Sequence, residues 1–199
     1  TMVTDYNWNP DTNDWDPNEK HEYVTSSDEN GKYTSDVFYS WDSIAADWIL
    51  ERKHEFAWDA NGQYTLLVDL IWEESVNEWF WGYRIEQTND DNGNVILKIR
   101  YRWDADIQDW IKTWKEENAF YPEGHWTLGI SYNWDESTNV WIGLYKHILY
   151  RDKNGNITLE IIYGWDSLKN DWSVTEKSYY SNRFSSMFFE KNIVVFPNP

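Results

Sequence analysis

The chain repeats one pattern of tryptophans six times. A first tryptophan recurs, mostly every 31 residues, and a second tryptophan follows each one by seven residues. The first set is Trp8, Trp41, Trp72, Trp103, Trp134 and Trp165, and the second set is Trp15, Trp48, Trp79, Trp110, Trp141 and Trp172. Glycines 31 residues apart, at 31, 62, 93, 124 and 155, mark the same period. Self-similarity at a period of this length is typical of repeat architectures, so it constrains the fold before any other feature.

One repeat contains two segments with the composition of β-strands. Residues 64–72 and 79–87 are rich in β-formers, the polar residues 73–78 separate them, and Asn92-Gly93 closes the unit as a tight turn. Six such hairpins predict an all-β fold, an antiparallel meander of about twelve strands. The expected domain covers residues 1–192 as a single β-hairpin repeat domain, with repeats near 6–38, 39–69, 70–100, 101–131, 132–162 and 163–192.

Alternation along the strands predicts which side chains share a face. We expect Trp41 opposite Trp48, and a type I turn at Ala60-Asn61 followed by Gly62 in the left-handed conformation. All sixteen Trp then fall on one face. Charged side chains fall on the other: Lys20, Lys53, Arg84, Lys115, Lys146, Lys177, Glu22, Glu55, Glu86 and Glu117. The sheet is expected to roll into a barrel or a flattened closure with an aromatic interior, because a wide apolar face is costly in water. The alternative is an open sheet whose aromatic face docks against something else.

Composition excludes several classes of function. The net charge of −18 opposes binding to nucleic acid and to anionic lipid, because phosphate would be repelled. The chain contains no cysteine, so no disulfide contributes. No apolar stretch is long enough for a membrane span, so no membrane insertion is expected.

Four tryptophans lie outside the repeat schedule and are the candidate ligand-binding residues. The twelve periodic tryptophans are interpreted as core, since the sheet itself needs them at those positions. The fold makes no such demand on the others, and an exposed indole offers a flat surface for stacking a ligand. These four are Trp58, Trp81, Trp114 and Trp126.

The polar residues give no sign of catalysis. His21, His54 and His147 share one repeat position and are too far apart to chelate together, so they are interpreted as structural. Acidic residues crowd the loops between paired tryptophans, where capping is the simplest role. Asp104, Asp106 and Asp109 are the candidates for weak calcium binding, and no other cofactor is expected. No Ser/His/Asp set or phosphate loop is present, so the chain is predicted not to be an enzyme.

The C-terminal residues carry one family resemblance. The ending Ile193-Val-Val-Phe-Pro-Asn-Pro199 resembles the opening of the C-terminal sorting domain of type IX secretion cargo proteins. Acidic repeats rich in Trp and Asn resemble the repeat regions of surface proteins that use this pathway. The resemblance implies that residues 193–199 begin a sorting segment and that the secretion machinery is a partner.

A second resemblance concerns the turns. The segments Trp58-Asp-Ala-Asn-Gly-Gln-Tyr-Thr65 and Arg151-Asp-Lys-Asn-Gly-Asn-Ile-Thr158 are similar to the Tyr-Asp (Rhs-type) repeat. That family has a unit of near twenty residues, and its Tyr before Asp is mostly lacking here. The similarity is interpreted as shared hairpin chemistry.

Together these observations predict a secreted or cell-surface-displayed, non-catalytic binding or adhesion module. The expected ligand is glycan or another component of the cell envelope. One alternative is a passive spacer that holds an upstream domain away from the cell. A glycoside hydrolase is the remote alternative, and it would require a unique pair of carboxylates in a cleft.

Overall fold

A computed structural model describes residues 2–24, 34–180 and 192–193. The described residues divide into two compact units. Unit 1 contains residues 2–24, 34–87 and 100–111, and unit 2 contains residues 88–99, 112–180 and 192–193.

The described residues form β-strands joined by short loops and turns, and they contain no helix. The strands are β1 Met2–Asn9, β2 Asp14–Val24, β3 Ser35–Asp42, β4 Asp47–Trp58, β5 Tyr64–Glu73, β6 Glu78–Asn89, β7 Val95–Asp104, β8 Asp109–Phe120, β9 Trp126–Asp135, β10 Val140–Arg151, β11 Ile157–Asp166, β12 Asp171–Tyr179 and β13 Asn192–Ile193. Strand order in the sheet is linear and follows chain order from β1 to β13. This confirms the predicted all-β antiparallel meander.

Each pair of tryptophans lies at the end of a hairpin. Trp41 stands opposite Trp48, as predicted, and the next pair, Asp42 and Asp47, closes a loop of the four residues 43–46. Asp42 Oδ1 accepts hydrogen bonds from the backbone amides of Ile44 and Ala45, at 2.8 and 3.2 Å. The loop aspartates therefore satisfy the amides of their own loops, as the capping interpretation expected.

The last residue of each tryptophan loop adopts a left-handed backbone conformation. These residues have φ between 53° and 57°, and four of the six are Asn: Asn13, Ala46, Asn77, Gln108, Asn139 and Asn170. Asn tolerates this conformation because its short polar side chain bonds locally, whereas the Cβ of other residues is strained there. At four of the six positions an asparagine therefore relieves the backbone strain of the left-handed conformation. Ala46 has no polar side chain to do so.

The glycine turns have the predicted form. Gly62 has φ of 76°, its amide donates to the Asp59 carbonyl at 3.0 Å, and the Asp59 amide donates to the Gln63 carbonyl at 2.8 Å. Gly93, Gly124 and Gly155 also have positive φ. Gly31 lies outside the described residues.

A β-bulge interrupts each tryptophan hairpin whose full register is described. Phe38 pairs with Arg52 but Tyr39 pairs with Leu50, so Glu51 is an extra residue on β4. The extra residue stands three positions after the second tryptophan in every case: Asn18, Glu51, Gly82, Leu144 and Thr175. A bulge of one residue shifts the alternation of all that follows it.

The bulge overturns the predicted separation of aromatic and charged faces. We call the side that carries the paired tryptophans of a unit its Trp face. Val68 lies on the Trp face of unit 1 and pairs with Arg84, and Leu66 on the same face pairs with Glu86. The repeated cations and glutamates therefore lie on the Trp face. Trp58 lies beyond its bulge and moves to the opposite face. Trp114, which pairs with Asn133, and Trp126, which lies across a second register shift, are also on the face opposite the Trp face of their unit. The prediction of one face for all sixteen tryptophans was therefore wrong.

The buried apolar side chains of the described residues are few, and each keeps 7–9% of its surface exposed. They are Val68 and Leu70 in unit 1 and Leu149 in unit 2. Most tryptophans are only half-buried, so rings that pack against each other also remain accessible to solvent. The described part of the chain contains no helix that could span a membrane.

Replacing Ala46 by Gly should stabilise the chain. Glycine adopts a φ of 53° without a Cβ penalty, so we expect a gain of about 1 kcal/mol and a rise in Tm of about 2–4 °C. Thermal unfolding followed by circular dichroism measures it. Ala45→Gly is the matched control, because Ala45 is not among the residues with positive φ. Equal Tm changes in the two variants would contradict the strain at Ala46.

Candidate functional site

The Trp faces carry edge-to-face indole pairs. Ring centroids of the six hairpin pairs lie 4.9–5.4 Å apart, with the planes steeply inclined. Such pairs add about 0.5–1.5 kcal/mol beyond area burial. In unit 1 the rings stay accessible, and Trp8, Trp15 and Trp81 are 48%, 60% and 43% exposed. These surfaces are therefore both structural and available to a ligand.

Charged groups fill the spaces between the rings. Lys115 Nζ lies 2.6 Å from Glu117 Oε1, and 4.1 Å above the ring centroid of Tyr132. The Tyr132 hydroxyl donates to Glu117 Oε2 at 3.2 Å. Trp141 borders the same ammonium group, with its ring centroid 5.3 Å away. We call this arrangement of cation, glutamate and tyrosine the cation–Tyr–Glu unit.

The cation–Tyr–Glu unit recurs in other repeats of the chain. Tyr39 donates to Glu22 and lies under Lys20, whose Nζ is 3.8 Å from the ring centroid. Tyr101 donates to Glu86, which is also paired with Arg84. Burial, and secondarily the neighbouring glutamate, raises the pKa of Tyr101 and of Tyr132 to about 12. The proton of each phenol is therefore held as a hydrogen-bond donor to the carboxylate.

Of the four candidate tryptophans, Trp81 is the only one that lies on a Trp face. Its ring centroid is 5.8 Å from that of Trp103 and 5.7 Å from that of Trp110. The cluster belongs to unit 1, and its outer ring is exposed.

The other three candidates lie on the opposite faces and are half-buried. Trp58 stacks on Phe56 and meets Tyr64 edge-on. Trp126 donates from Nε1 to Asn118 Oδ1 at 2.9 Å, and its ring packs on His147. Trp114 pairs with Asn133. The structure therefore separates Trp81 from the other three, which sequence alone had grouped together.

The opposite face of unit 1 holds a buried carboxylate. Asp69 is 1% exposed, and its Oδ1 lies 3.1 Å from Arg52 Nε and 3.2 Å from His54 Nε2. Burial lowers the pKa of His54, although the charges of Asp69 and Asp36 act in the other direction. Gly82 lies against this carboxylate, where a Cβ would stand 2.2 Å from Asp69 Oδ2. The absence of a side chain at the bulge therefore makes room for the cluster.

The opposite face of unit 2 holds a second histidine cluster. The Tyr145 hydroxyl is 3.0 Å from His147 Nδ1, and His147 Nε2 lies 2.8 Å from Glu160 Oε1. Tyr180 donates to the other oxygen of Glu160. His54 and His147 each contact one carboxylate, in keeping with the structural role predicted for them. The side chain of His21 lies outside the described residues.

The predicted calcium ligands serve their own loop. Asp104 Oδ1 accepts hydrogen bonds from the amides of Asp106 and Ile107, at 3.0 and 3.3 Å. These contacts, led by the Ile107 amide, lower the pKa of Asp104. Asp109 Oδ1 accepts from the Trp110 amide at 2.7 Å. Within residues 2–24, 34–180 and 192–193, no three or more His, Cys, Asp or Glu side chains are grouped to hold a metal.

The structure also brings together residues that the sequence analysis missed. Two glycine turns of unit 2 line an open cavity of about 450 Å³, whose lining includes Tyr121, His125, Arg151 and Lys153. One sequence signal was available. The turn at 151–155 carries two cations, whereas the equivalent turns at 58–62, 89–93 and 120–124 carry none.

No protein-family model matches the chain, and no curated protein matches it. Three solved structures are distantly similar. A DUF3836 family protein from Bacteroides vulgatus ATCC 8482 is 19% identical, with a TM-score of 0.40 over 48% of this chain and 91% of that one. A DUF3836 family protein from Parabacteroides distasonis ATCC 8503 is 20% identical, with a TM-score of 0.39 over 54% and 83%. A protein of unknown function from Bacteroides fragilis NCTC 9343 is 14% identical, with a TM-score of 0.30 over 81% and 91%. These likenesses are too distant to place the chain in a family.

Tyr101 and Tyr132 should lose their phenolic protons at a higher pH than an ordinary tyrosine does. The folded chain holds each proton up to about pH 12, against an ordinary pKa of 10.0. Their contribution to stability is therefore complete below pH 10 and is lost as the pH rises toward 12. Absorbance of tyrosinate against pH should show a late phase that shrinks in Tyr132→Phe and moves to lower pH in Glu117→Gln. A titration in urea is the control, and a late phase that survives unfolding would contradict the assignment.

Gly82→Ala should destabilise unit 1 strongly. The added Cβ clashes with the buried Asp69 carboxylate, and overpacking of this kind costs about 1–3 kcal/mol. Gly124→Ala is the control for unfavourable φ alone, because nothing lies within 4 Å of its Cβ position, and it should cost about 1 kcal/mol. Urea unfolding measures both. A smaller loss of unfolding free energy for Gly82→Ala than for Gly124→Ala would contradict this prediction. It would show that the Asp69 side chain moves away from the added Cβ at little cost.

Proposed function

We propose that the chain is a secreted, surface-displayed, non-catalytic module that binds glycan through its Trp faces. The observation that supports this most is the composition of those faces. Accessible indoles alternate there with cations, carboxylates and phenols, whereas purely structural packing would have covered the rings. Exposed aromatic surfaces rimmed by polar groups are typical of interaction sites.

Sugars present the complementary chemistry. A pyranose ring has an apolar face of C–H groups that packs on an indole, and its hydroxyls donate and accept hydrogen bonds at the edges. Trp and Tyr combine a flat apolar surface with a polar group, which suits them to such half-wet contacts. Carboxylates such as Glu86 and cations such as Arg84 then orient the hydroxyls from the same face.

Within unit 1 the Trp81 cluster is the best platform. Trp81 is 43% exposed and is braced by Trp103 and Trp110 on its covered side. A braced ring loses little conformational freedom when a ligand stacks on it, so more of the contact energy remains for binding.

The secretion part of this proposal comes from the sequence. The sorting-like segment 193–199 lies outside the described residues from position 194 onward. The net charge of −18 suits a soluble, externally displayed module that does not adhere to nucleic acid or anionic lipid. Export by the type IX machinery follows from the resemblance of the tail alone.

A passive spacer is the second candidate. The repeated hairpins favour it, because a stack of identical units can lengthen or shorten without losing its fold. A spacer would bind no glycan, and removal of the Trp81 ring would change stability only. The remote hydrolase alternative would reveal itself by release of reducing sugar from a bound oligosaccharide.

Trp81→Ala should weaken glycan binding about tenfold, the loss expected when one stacking contact of about 1.4 kcal/mol is removed. Binding is measured by calorimetric titration with a panel of neutral and acidic oligosaccharides. Trp81→Phe keeps a flat ring and should retain most of the affinity.

Trp114→Ala is the matched control, since it also removes one indole, but from unit 2 and from the side of that unit opposite its own Trp face. It should leave affinity unchanged. An equal loss in both variants, or no binding by the unaltered protein to any member of the panel, would refute binding through the Trp face.

A further inference from the structure

The cavity in unit 2 is a second candidate binding site, separate from the Trp81 cluster. It lies between the turn that joins β8 to β9 and the turn that joins β10 to β11. Its volume of about 450 Å³ is in the range of small-molecule pockets and exceeds what a bare inorganic anion needs. Tyr121 and Glu123 line it from one turn, and Arg151 and Lys153 line it from the other.

Each of the two turns is closed by a hydrogen bond of its own. The Tyr121 amide donates to the His125 carbonyl at 2.8 Å, and Arg151 Nη1 donates to the Gly155 carbonyl at 2.9 Å. Gly155 has φ of 83°, and a Cβ there would stand 3.1 Å from His125 Nε2. Glycine therefore permits both the turn and the close approach of the imidazole.

Asp152, which stands between the two cations in sequence, is engaged in its own turn. Asp152 Oδ1 accepts hydrogen bonds from the amides of Asn154 and Asn156, at 2.8 and 3.0 Å. The side-chain amide of Asn156 also lies 3.2 Å from Asp152 Oδ2. Both carboxylate oxygens thus face donors of the turn, which leaves Glu123 as the other carboxylate of the lining.

The lining is rich in hydrogen-bond donors. The Nε of Arg151 is buried and has no hydrogen-bond partner in the described structure, so the protein does not satisfy the guanidinium fully. Lys153 adds an ammonium group, and His125 adds an imidazole. A guanidinium recognises a carboxylate through two parallel hydrogen bonds, which an ammonium group cannot reproduce. The net charge of −18 repels an anion at long range. These donors therefore attract an anion only when it is in direct contact with them.

We propose that this cavity binds the carboxylate of an acidic sugar residue of the uronic acid class. Arg151 takes the carboxylate, Lys153 contacts it from the side, and the Tyr121 ring lies beside the pyranose. Glu123 accepts a hydrogen bond from a sugar hydroxyl. The inference rests on the proposed glycan binding and deepens it by naming a charged sugar class.

Tetragalacturonate and its fully methyl-esterified form are the probes, because they differ in charge and share one backbone. Calorimetric titration should give binding of the acid at least tenfold tighter than that of the ester. Arg151→Gln should weaken binding of the acid about tenfold and leave binding of the ester unchanged. Lys169→Gln is the matched control, since it removes the same charge at an exposed side chain paired with Asp166, away from the cavity lining.

Two further variants keep the test independent of folding. Lys153→Gln alters an exposed side chain and should weaken binding of the acid by a smaller factor than Arg151→Gln. Arg151→Lys keeps the charge but lacks the planar fork, and it should restore only part of the affinity. Circular dichroism melting of each variant checks that the turn is intact. Full affinity in Arg151→Lys would overturn the bidentate contact.

The outcomes separate this inference from the proposed function. If neutral oligosaccharides bind in a Trp81-dependent way but Arg151→Gln does not affect tetragalacturonate, the cavity inference fails alone. If tetragalacturonate binding depends on Arg151 while neutral sugars do not bind, the Trp face proposal fails alone. If inorganic sulfate competes as well as tetragalacturonate, the site is a simple anion site and the sugar class is overturned. If nothing binds, both fail.

Discussion

In the five tryptophan hairpins whose full register is described, the bulge that follows the second tryptophan decides which side chains share a face. Before the bulge, alternation runs from the tryptophan pair as in any strand. After the bulge, side chains five and seven residues beyond the second tryptophan lie on the same side as the rings. Arg84 and Glu86, which follow Trp79, show this by pairing with Val68 and Leu66. Without the extra residue these charges would face away and the Trp face would be uniformly apolar. A surface that combines rings with charges thus depends on one inserted residue per repeat.

Charges on an aromatic face would be costly if that face were sealed from water, and here it is not. Lys115, Glu117 and Tyr132 satisfy one another by an ion pair, a hydrogen bond and a cation–π contact while staying partly solvated. In some repeats one member of the cation–Tyr–Glu unit is replaced and the remaining contacts persist. Leu70 stands opposite Lys53, where a tyrosine stands in other repeats, and the Lys53–Glu55 pair remains. Ile148 occupies the glutamate position after Lys146, which still lies over Tyr163. Each contact therefore contributes little stability by itself. Its repetition produces the mixture of rings and charges on the Trp face.

Sequence reasoning succeeded where a local rule decides the structure. The period located the hairpins, Asn-Gly located the turns, and the seven-residue spacing placed Trp41 opposite Trp48. It failed where one residue changes the phase of everything after it. No residue type marks the bulge, since Asn18, Glu51, Gly82, Leu144 and Thr175 share no side-chain chemistry. Alternation was therefore applied across the breaks in register, and Trp58, Trp114 and Trp126 were assigned to the wrong face. The cavity was missed for another reason, because turns 31 residues apart in sequence meet only in the folded sheet.

Repetition also helps to divide structural residues from functional ones. The paired tryptophans, loop aspartates and turn glycines recur because every hairpin needs them to close. Residues that break the pattern serve no such need. Trp81 stands where other repeats carry Leu50, Lys112 or Val174, and Arg151 and Lys153 stand in a turn whose counterparts carry no cation. Each departure lies on accessible surface beside donors or rings that the repeat already supplies. A regular sheet can therefore supply one general surface for stacking, and a few irregular residues can make parts of it selective.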